Sequence, residues 1–290
     1  MDDYKKLRLL KNYKYFIILP DDPFKTRWDL FIAMLLIFTS ISTPYRIAYY
    51  DVDELSWVII DSLVDFSFAI DIVLNFFMAF YDSSDDIVDK RSTIACNYLR
   101  FWFYIDVVSI IPFNQILQTS DYSSLVRIAR LPKLYRLFKI FKIFRLMKVV
   151  RERNNLIKYV NDLFRLNAGF ERFIFFIILS LIFCHISSCF WVMISSFDGN
   201  SPDTWMVRNG YNDLPNYAIY TASLYFILTT ILTVGFGDIY GRTQNERIFC
   251  IAMMAIGVFA FSFSISSLSS ILTSIDARKS HLKKKMAILN

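Results

Sequence analysis

The sequence predicts an all-α membrane protein with six transmembrane helices and a re-entrant helix between the last two. The first reason is composition: the 290 residues are 55% hydrophobic and 18% aromatic, more than is usual for soluble domains. The second is clustering, because the apolar residues form runs of about 20, the length at which a helix crosses a bilayer. The third is the loops, in which Lys and Arg concentrate on alternate sides as the positive-inside rule requires.

The six predicted spans are defined by these apolar runs. They cover residues 28–49, 57–80, 101–116, 127–151, 170–197 and 248–275. Between the fifth and the sixth lies YAIYTASLYFILTTILTVGFGDIY, in which one apolar-rich stretch precedes a glycine turn. This segment is too short to cross the bilayer twice, so we expect a re-entrant helix followed by a loop.

The loops also predict the orientation of the chain in the membrane. Lys and Arg gather at the N-terminus, after the second and fourth spans, and in the C-terminal tail, which places both termini of a multi-pass cell-membrane protein in the cytoplasm. No removable signal peptide is expected, since the charged N-terminus lacks a small-residue cleavage site. The predicted order is an N-terminal segment, a four-span domain, a link, a two-span domain and the start of a C-terminal linker, over residues 1–26, 27–151, 152–169, 170–275 and 276–290.

The fourth predicted span has a basic residue at every third position. These residues are Arg127, Arg130, Lys133, Arg136, Lys139, Lys142, Arg145, Lys148 and Arg151. Successive cations turn by about 60° on an α-helix, so no apolar stripe survives, and a surface-lying helix or a coiled coil is excluded. On a 3₁₀-helix they form one row. Without these nine, 23 basic residues face 26 acidic ones, so the net charge of +6 does not indicate nucleic-acid binding.

Cations that alternate with apolar pairs in this way indicate a helix that moves past fixed partners in an electric field. One elementary charge that crosses the membrane field changes in energy by about 2.3 kcal/mol per 100 mV. Three or four charges per chain therefore supply roughly 7 to 9 kcal/mol per 100 mV, enough to bias a two-state gate. The pattern predicts a voltage sensor.

A voltage sensor also needs buried acids, because an unpaired cation inside the bilayer is costly. The predicted counter-charges are Asp61, Asp65 and Asp71 in the second span and Asp106 in the third. Helical geometry places the three acids of the second span on one side, with Phe68 between them. Asp29, at the inner end of the first span, is either a further counter-charge or an interfacial acid.

The hexapeptide TVGFGD follows the predicted re-entrant helix and has the composition of a potassium selectivity filter. Its residues are Thr233, Val234, Gly235, Phe236, Gly237 and Asp238. Stacked backbone carbonyls replace the water around K⁺, which requires left-handed residues at alternate positions, here Gly235 and Gly237. Thr233 adds a hydroxyl ligand, and the negative end of the helix dipole favours a cation. One chain supplies one column of oxygens, so four chains are needed around the ion.

The sixth span holds the candidates for the inner cavity and gate. Gly257 is either a bend point or a packing residue, and Phe261 and Ile265 lie on its face of the helix. No metal site or cofactor is expected, because the four cysteines lack metal-site spacing. His185 and His281 have no nucleophile or ligand set around them, so an enzyme is the least favoured class.

The chain resembles, over nearly its whole length, voltage-gated potassium channels of the ether-à-go-go and hyperpolarisation-activated (cyclic-nucleotide-regulated) superfamily. The segments that carry the resemblance are FKTRWDLFIAMLLIFTSISTPY, VDFSFAIDIVLNF, FWFYIDVVSIIPF, HISSCFW (with His185 and Trp191) and TVGFGD. The resemblance implies that Phe68 is the aromatic cap of a charge-transfer centre and that Asp71 is its acidic floor. It also implies a homotetramer in which each sensor packs against its own subunit's pore.

Three features depart from that family. Phe236 stands where many potassium channels have tyrosine, which removes the hydroxyl bond behind the filter. The unbroken sensor is more similar to the hyperpolarisation-activated branch, yet Thr233 replaces that branch's Cys, so gating polarity is left open. The family continues into a cyclic-nucleotide-binding domain, whereas this sequence ends at Asn290. A fragment and a channel without ligand control are both compatible with that end.

The leading hypothesis is a voltage-gated, potassium-selective tetramer in the lipid bilayer, either a homotetramer or a heterotetramer, with K⁺ as the permeant ion. Two alternatives are a weakly selective cation channel and a regulatory subunit that conducts nothing alone. A transporter is disfavoured because the paired interrupted half-helices of inverted repeats are missing from the sequence.

Overall fold

The computed structural model of the chain describes residues 17–20, 22–50, 55–82, 86–110, 168–199 and 201–289. These described ranges are mostly helical and hold eight α-helices and one two-stranded antiparallel sheet. The helices are α1 (Pro23–Tyr49), α2 (Leu55–Asn75), α3 (Arg91–Leu99), α4 (Trp102–Ile110), α5 (Ala168–Phe197), α6 (Trp205–Arg208), α7 (Asn216–Ile231) and α8 (Gln244–Leu289). The strands are β1 (Phe80–Tyr81) and β2 (Ile87–Val88).

The chain divides into two compact units. Within the described ranges, the first unit contains the residues up to Thr43 and those from Tyr50 to Ile110. The second contains Pro44–Tyr49 and the residues from Ala168 onward. The last six residues of α1 are therefore grouped with the second unit.

Three helical segments in the described part of the chain are long and apolar enough to cross a membrane. They are Pro23–Tyr49, Phe176–Phe197 and Gln244–Ser266, and they correspond to the first, fifth and sixth predicted spans. The fourth predicted span and the end of the third lie outside the described residues. The whole of α8 has 46 residues, about 69 Å at 1.5 Å per residue, so it continues well beyond the thickness of a bilayer.

The second predicted span is shorter than the sequence indicates. It was expected to reach residue 80, but α2 ends at Asn75. The chain turns there because its next backbone groups bond elsewhere: Ile18 N donates to the carbonyl of Phe77, and Ala79 N donates to the carbonyl of Ile18, both at 2.9 Å. Strand pairing of β1 with β2 follows directly.

The link between α2 and α4 contains a helix that the sequence analysis did not predict. This helix, α3, holds Tyr98, whose ring meets Phe76 edge-on at 5.1 Å and Phe103 at 5.9 Å between centroids. Phe76 and Phe103 are in turn 5.8 Å apart. The three rings join the end of α2, α3 and the start of α4 into one cluster.

The core of the second unit is built around Trp191 of α5, which has no exposed surface. Its ring stacks on Trp205 of α6 at 5.5 Å, on Phe226 of α7 at 4.5 Å and on Phe249 of α8 at 5.7 Å. This side chain of α5 therefore contacts three other helices, α6, α7 and α8. The predicted short helix is α7, with 16 residues, and the glycine loop joins it to α8.

Candidate functional site

The predicted counter-charges of α2 differ in burial. Phe68 is 3% exposed and Asp71 is 4% exposed, whereas Asp61 and Asp65 are half-buried. The Asp71 carboxylate accepts a hydrogen bond from Trp28 Nε1 of α1 at 2.7 Å. Its other oxygen accepts one from Asn75 Nδ2 at 3.0 Å. Both donors are neutral.

The acid of the third span has a similar environment. Asp106 on α4 is 6% exposed, and its Oδ2 accepts a hydrogen bond from the Tyr98 hydroxyl at 2.6 Å. Tyr98 lies on α3, outside the predicted spans. A neutral aromatic donor therefore contacts each of the two acids that are deeply buried in the described part of this unit.

Asp29 has a charged neighbour on its own helix. Lys25 Nζ lies 3.2 Å from Asp29 Oδ2, one turn earlier in α1. Such an i,i+4 pair stabilises the first turns of the helix. The nine predicted sensing residues from Arg127 to Arg151 lie outside the described residues.

The loop after α7 has the backbone geometry that a column of carbonyl oxygens requires. Thr233, Gly235 and Gly237 have φ angles of 59°, 59° and 78°, so every second residue is left-handed. Nothing lies within 4 Å of a Cβ atom built on either glycine, so conformation rather than space demands glycine there. Thr233 is β-branched, and its positive φ marks a strained position of the kind found at functional sites.

Hydrogen bonds hold the start of this loop on the end of α7. The amides of Val234 and Gly235 both donate to the carbonyl of Thr229, at 2.9 and 3.1 Å. The amide of Thr233 donates to the carbonyl of Thr230 at 3.2 Å. The loop therefore leaves the C-terminal end of α7 directly, where the helix dipole is negative.

A hydroxyl behind the loop is present after all, although Phe236 cannot supply it. Tyr225 of α7 donates to Asp238 Oδ2 at 2.9 Å, and its ring lies parallel to Phe236 with centroids 6.2 Å apart. Tyr225 was not among the residues predicted from the sequence. It could have been found from its position in α7, two or three helical turns before the loop, because that loop folds back along the helix.

Glu246 is a second residue that the sequence analysis missed. It has no exposed surface, and its carboxylate accepts three backbone hydrogen bonds, from Trp205 N at 3.1 Å, Arg242 N at 2.9 Å and Thr243 N at 3.2 Å. Its own amide donates to Thr243 Oγ1 at 3.3 Å, which completes a capping box at the start of α8. The sequence Thr-x-x-Glu before an apolar run was the signal.

Gly257 packs closely against α7. A Cβ atom built on Gly257 would lie 3.0 Å from the Cα of Ile231 and 3.2 Å from its carbonyl oxygen, and α8 continues through this position. The contact favours the packing interpretation over the bend point. Phe261 and Ile265 are exposed in the single chain. Phe261 also lines an apolar cavity of about 220 Å³ between α5, α7 and α8.

His185 is a buried residue of the second unit. Its Nδ1 lies 2.9 Å from the hydroxyl of Tyr220 on α7, and its Nε2 lies 3.9 Å from the Cys189 sulfur. Within the ranges that the structure describes, no group of three or more His, Cys, Asp and Glu side chains could hold a metal ion. The cysteines in those ranges are free thiols.

Residues 25–280, which include both units, match the family described as ion transport protein. The chain belongs to that family. Voltage-gated delayed rectifier potassium channel KCNH1 of Rattus norvegicus is 27% identical to it over 288 residues, which are 88% of this chain and 28% of the relative. Potassium channel KAT1 of Oryza sativa subsp. japonica is 29% identical over 259 residues, 88% of this chain and 35% of the relative.

Voltage-gated delayed rectifier potassium channel KCNH5 of Homo sapiens is 26% identical over 287 residues, 88% of this chain and 27% of the relative. The chain thus spans about a third of the length of the curated relatives it matches. These relatives confirm the resemblance to voltage-gated potassium channels of the ether-à-go-go and cyclic-nucleotide-regulated superfamily. Family membership and the apolar helices confirm an all-α ion transport protein of membranes.

Proposed function

We propose that this ion transport protein is a voltage-gated, potassium-selective channel formed by four copies of the chain. The observation that carries the proposal is the loop 233–238, in which every second residue from Thr233 to Gly237 is left-handed. Such a backbone turns successive carbonyls toward one side, and a ring of them can replace the hydration shell of K⁺. One chain contributes one column, so the site is complete only around a fourfold axis.

The anchoring of this loop supports the same proposal. A selective filter must hold its oxygens at fixed spacing, and the loop is fastened at its start to the carbonyl of Thr229. At its far end, Asp238 accepts the hydroxyl hydrogen of Tyr225. Potassium is the permeant ion, with Thr233, Val234, Gly235, Phe236, Gly237 and Asp238 as the proposed filter.

The first unit supplies the proposed voltage sensor. Asp71 and Asp106 are buried acids of the kind that moving cations need as partners, and the sequence places nine cations at residues 127–151. Residues 27–151 are accordingly proposed as the sensor domain and residues 170–275 as the pore domain. Both termini are proposed to face the cytoplasm of a cell membrane.

Voltage clamp with ion substitution tests this function. Currents that appear on voltage steps and reverse at the potassium equilibrium potential are the expected result, and the direction of the effective steps gives the gating polarity. A reversal potential midway between those of Na⁺ and K⁺ would favour the weakly selective channel. Silence of the chain at the cell surface, combined with altered currents from a co-expressed relative, would favour the regulatory subunit.

Neutralisation of single cations tests the sensor. Lys139→Gln or Lys142→Gln should flatten or shift the voltage dependence, since each charge that crosses the full field carries about 2.3 kcal/mol per 100 mV. Lys90→Gln is the matched control, because Lys90 is exposed in the link between β2 and α3. Unchanged voltage dependence in both sensor variants, with normal surface expression, would contradict the sensor assignment.

A further inference from the structure

Asp71 and Asp106 pose a physical problem that their donors solve. A buried carboxylate is costly unless it is hydrogen-bonded, yet a counter-charge for moving cations must stay ionised and keep its charge. A hydrogen bond from an uncharged donor stabilises the carboxylate and adds no charge of its own.

Trp28 is such a donor for Asp71. Its Nε1–H reaches across from α1 to the carboxylate on α2 at 2.7 Å. The indole is held in place by neighbouring rings, stacked on Phe24 at 6.4 Å and tilted against Phe31 at 5.7 Å. Asn75 then donates to the second oxygen of Asp71 from one turn further along α2. The two donors come from two helices and fix the plane of the carboxylate.

Tyr98 is the corresponding neutral donor for Asp106. Its hydroxyl donates at 2.6 Å, and its ring is wedged between Phe76 and Phe103. Both Tyr98 and Asp106 are buried. An aromatic ring suits this task because it is stiff, loses little conformational entropy, and presents an apolar body with one polar atom.

We propose that Trp28 and Tyr98 are positioning residues of the voltage sensor, which hold the carboxylates of Asp71 and Asp106 in one orientation and add no charge of their own. The inference rests on the proposed voltage-sensing function of this ion transport protein. It adds two uncharged residues to the residues proposed for that function. Neither residue moves charge itself. Each acts through the acid it contacts.

The test is a set of double-mutant cycles read by gating currents of the whole chain. Trp28→Phe and Tyr98→Phe each remove one donor and keep the ring. Each should displace the midpoint of gating-charge movement while the total charge moved stays unchanged. In an Asp71→Asn background the Trp28→Phe displacement should become at least about two-fold smaller, because the two residues are in contact.

The specificity of the pairs provides the control. The Trp28→Phe displacement should keep its size in an Asp106→Asn background, and that of Tyr98→Phe should keep its size in an Asp71→Asn background. Tyr104→Phe on α4 is the matched single substitution, since Tyr104 is 62% exposed, and it should leave the midpoint in place. A donor that merely stabilised the fold would shift the midpoint equally in all backgrounds, and that result would overturn the proposal.

Two outcomes separate this inference from the proposed function. If the unmodified chain at the surface gives no gating currents, or if Asp71→Asn and Asp106→Asn leave them unchanged, the sensor assignment and this inference fall together. If the acid variants alter the currents but the donor variants do not, the inference alone falls. Should Trp28→Phe fail to reach the surface, Tyr98→Phe decides the question by itself, because it removes a single oxygen atom.

Discussion

Buried acids occur in both units, but the two units hold them in different ways. In the first unit, Asp71 and Asp106 accept hydrogen bonds from neutral side chains on other elements, Trp28 and Tyr98. In the second unit, Glu246 accepts three hydrogen bonds from the backbone, one from α6 and two from the loop before α8. All three acids are deeply buried.

The difference shows that burial alone does not reveal the role of an acid. A carboxylate has about four lone-pair positions, and the backbone occupies three of them on Glu246. That carboxylate therefore fastens α6 to the start of α8. Asp71 and Asp106 instead accept hydrogen bonds from the side chains of Trp28 and Tyr98. Four predictions on the second unit test the contrast between a proposed pore unit that is fixed by its packing and a proposed sensor unit that responds to voltage.

The largest effect is expected from Gly235→Ala. A left-handed alanine costs about 1–2 kcal/mol per residue, and four copies would distort one ring of oxygens, so conduction should be abolished. Gating currents should remain, because the first unit is untouched. The control is Gly210→Ala, which places alanine at a φ of 71° outside the loop 233–238. Normal potassium current through Gly235→Ala would contradict the filter assignment.

The next effect is expected from Glu246→Ala, which leaves one buried and two part-buried amides without their acceptor. Each unsatisfied group costs about 1–3 kcal/mol, so thermal unfolding of the purified assembly should occur at a markedly lower temperature. Thr243→Ala removes only the capping hydroxyl and should cost about 1 kcal/mol. If Glu246→Ala were as stable as Thr243→Ala, the inference that this carboxylate holds α6 to the start of α8 would be wrong.

A smaller effect is expected from Gly257→Ala. The added methyl group would press on the backbone of Ile231, and overpacking of this kind typically costs about 1–3 kcal/mol. Reduced thermal stability of the purified assembly is therefore the expected result. The bend-point interpretation predicts the opposite sign, since alanine strengthens a straight helix. An equally stable or more stable variant would restore that interpretation.

The smallest effect is expected from Tyr225→Phe, which removes the hydrogen bond to Asp238 and keeps the ring beside Phe236. This hydrogen bond is exposed to solvent, so its loss should be a small effect and the proposed channel should still conduct potassium. Its current should decline faster during a sustained opening step, because one anchor of the loop is lost. Tyr217→Phe is the control, since Tyr217 lies on α7 and is exposed. If the current declined at the same rate in both variants, the proposed anchoring of the loop by Tyr225 would be wrong.

Local patterns made much of the fold and the candidate site predictable from the sequence. Apolar runs indicated α1, α2, α5 and α8. Two glycines at alternate positions indicated the left-handed backbone after α7. Helix formation and left-handed turns both depend on residues that are neighbours in the sequence, so a local pattern can reveal them. The acids of α2 were found because helical spacing alone places them on one side.

Long-range pairs were not predictable in the same way. Trp28 and Asp71 are 43 residues apart, and nothing in either local sequence names the other as its partner. The end of α2 was misjudged because Ile18, from before α1, hydrogen-bonds to Phe77 and Ala79 just after the helix. The sequence could not decide between a bend and a packing role for Gly257, because the contact that favours glycine there is with the backbone of Ile231 on a different helix.

The bridge between Ile18 and Met78 has a mechanical consequence. Because Ile18 is hydrogen-bonded to Phe77 and Ala79, a pull on the stretch ahead of α1 arrives directly at the connection between α2 and α3. That connection leads within a few residues to the phenol that touches Asp106. A force applied to this stretch would therefore reach the proposed voltage sensor at the end of α2.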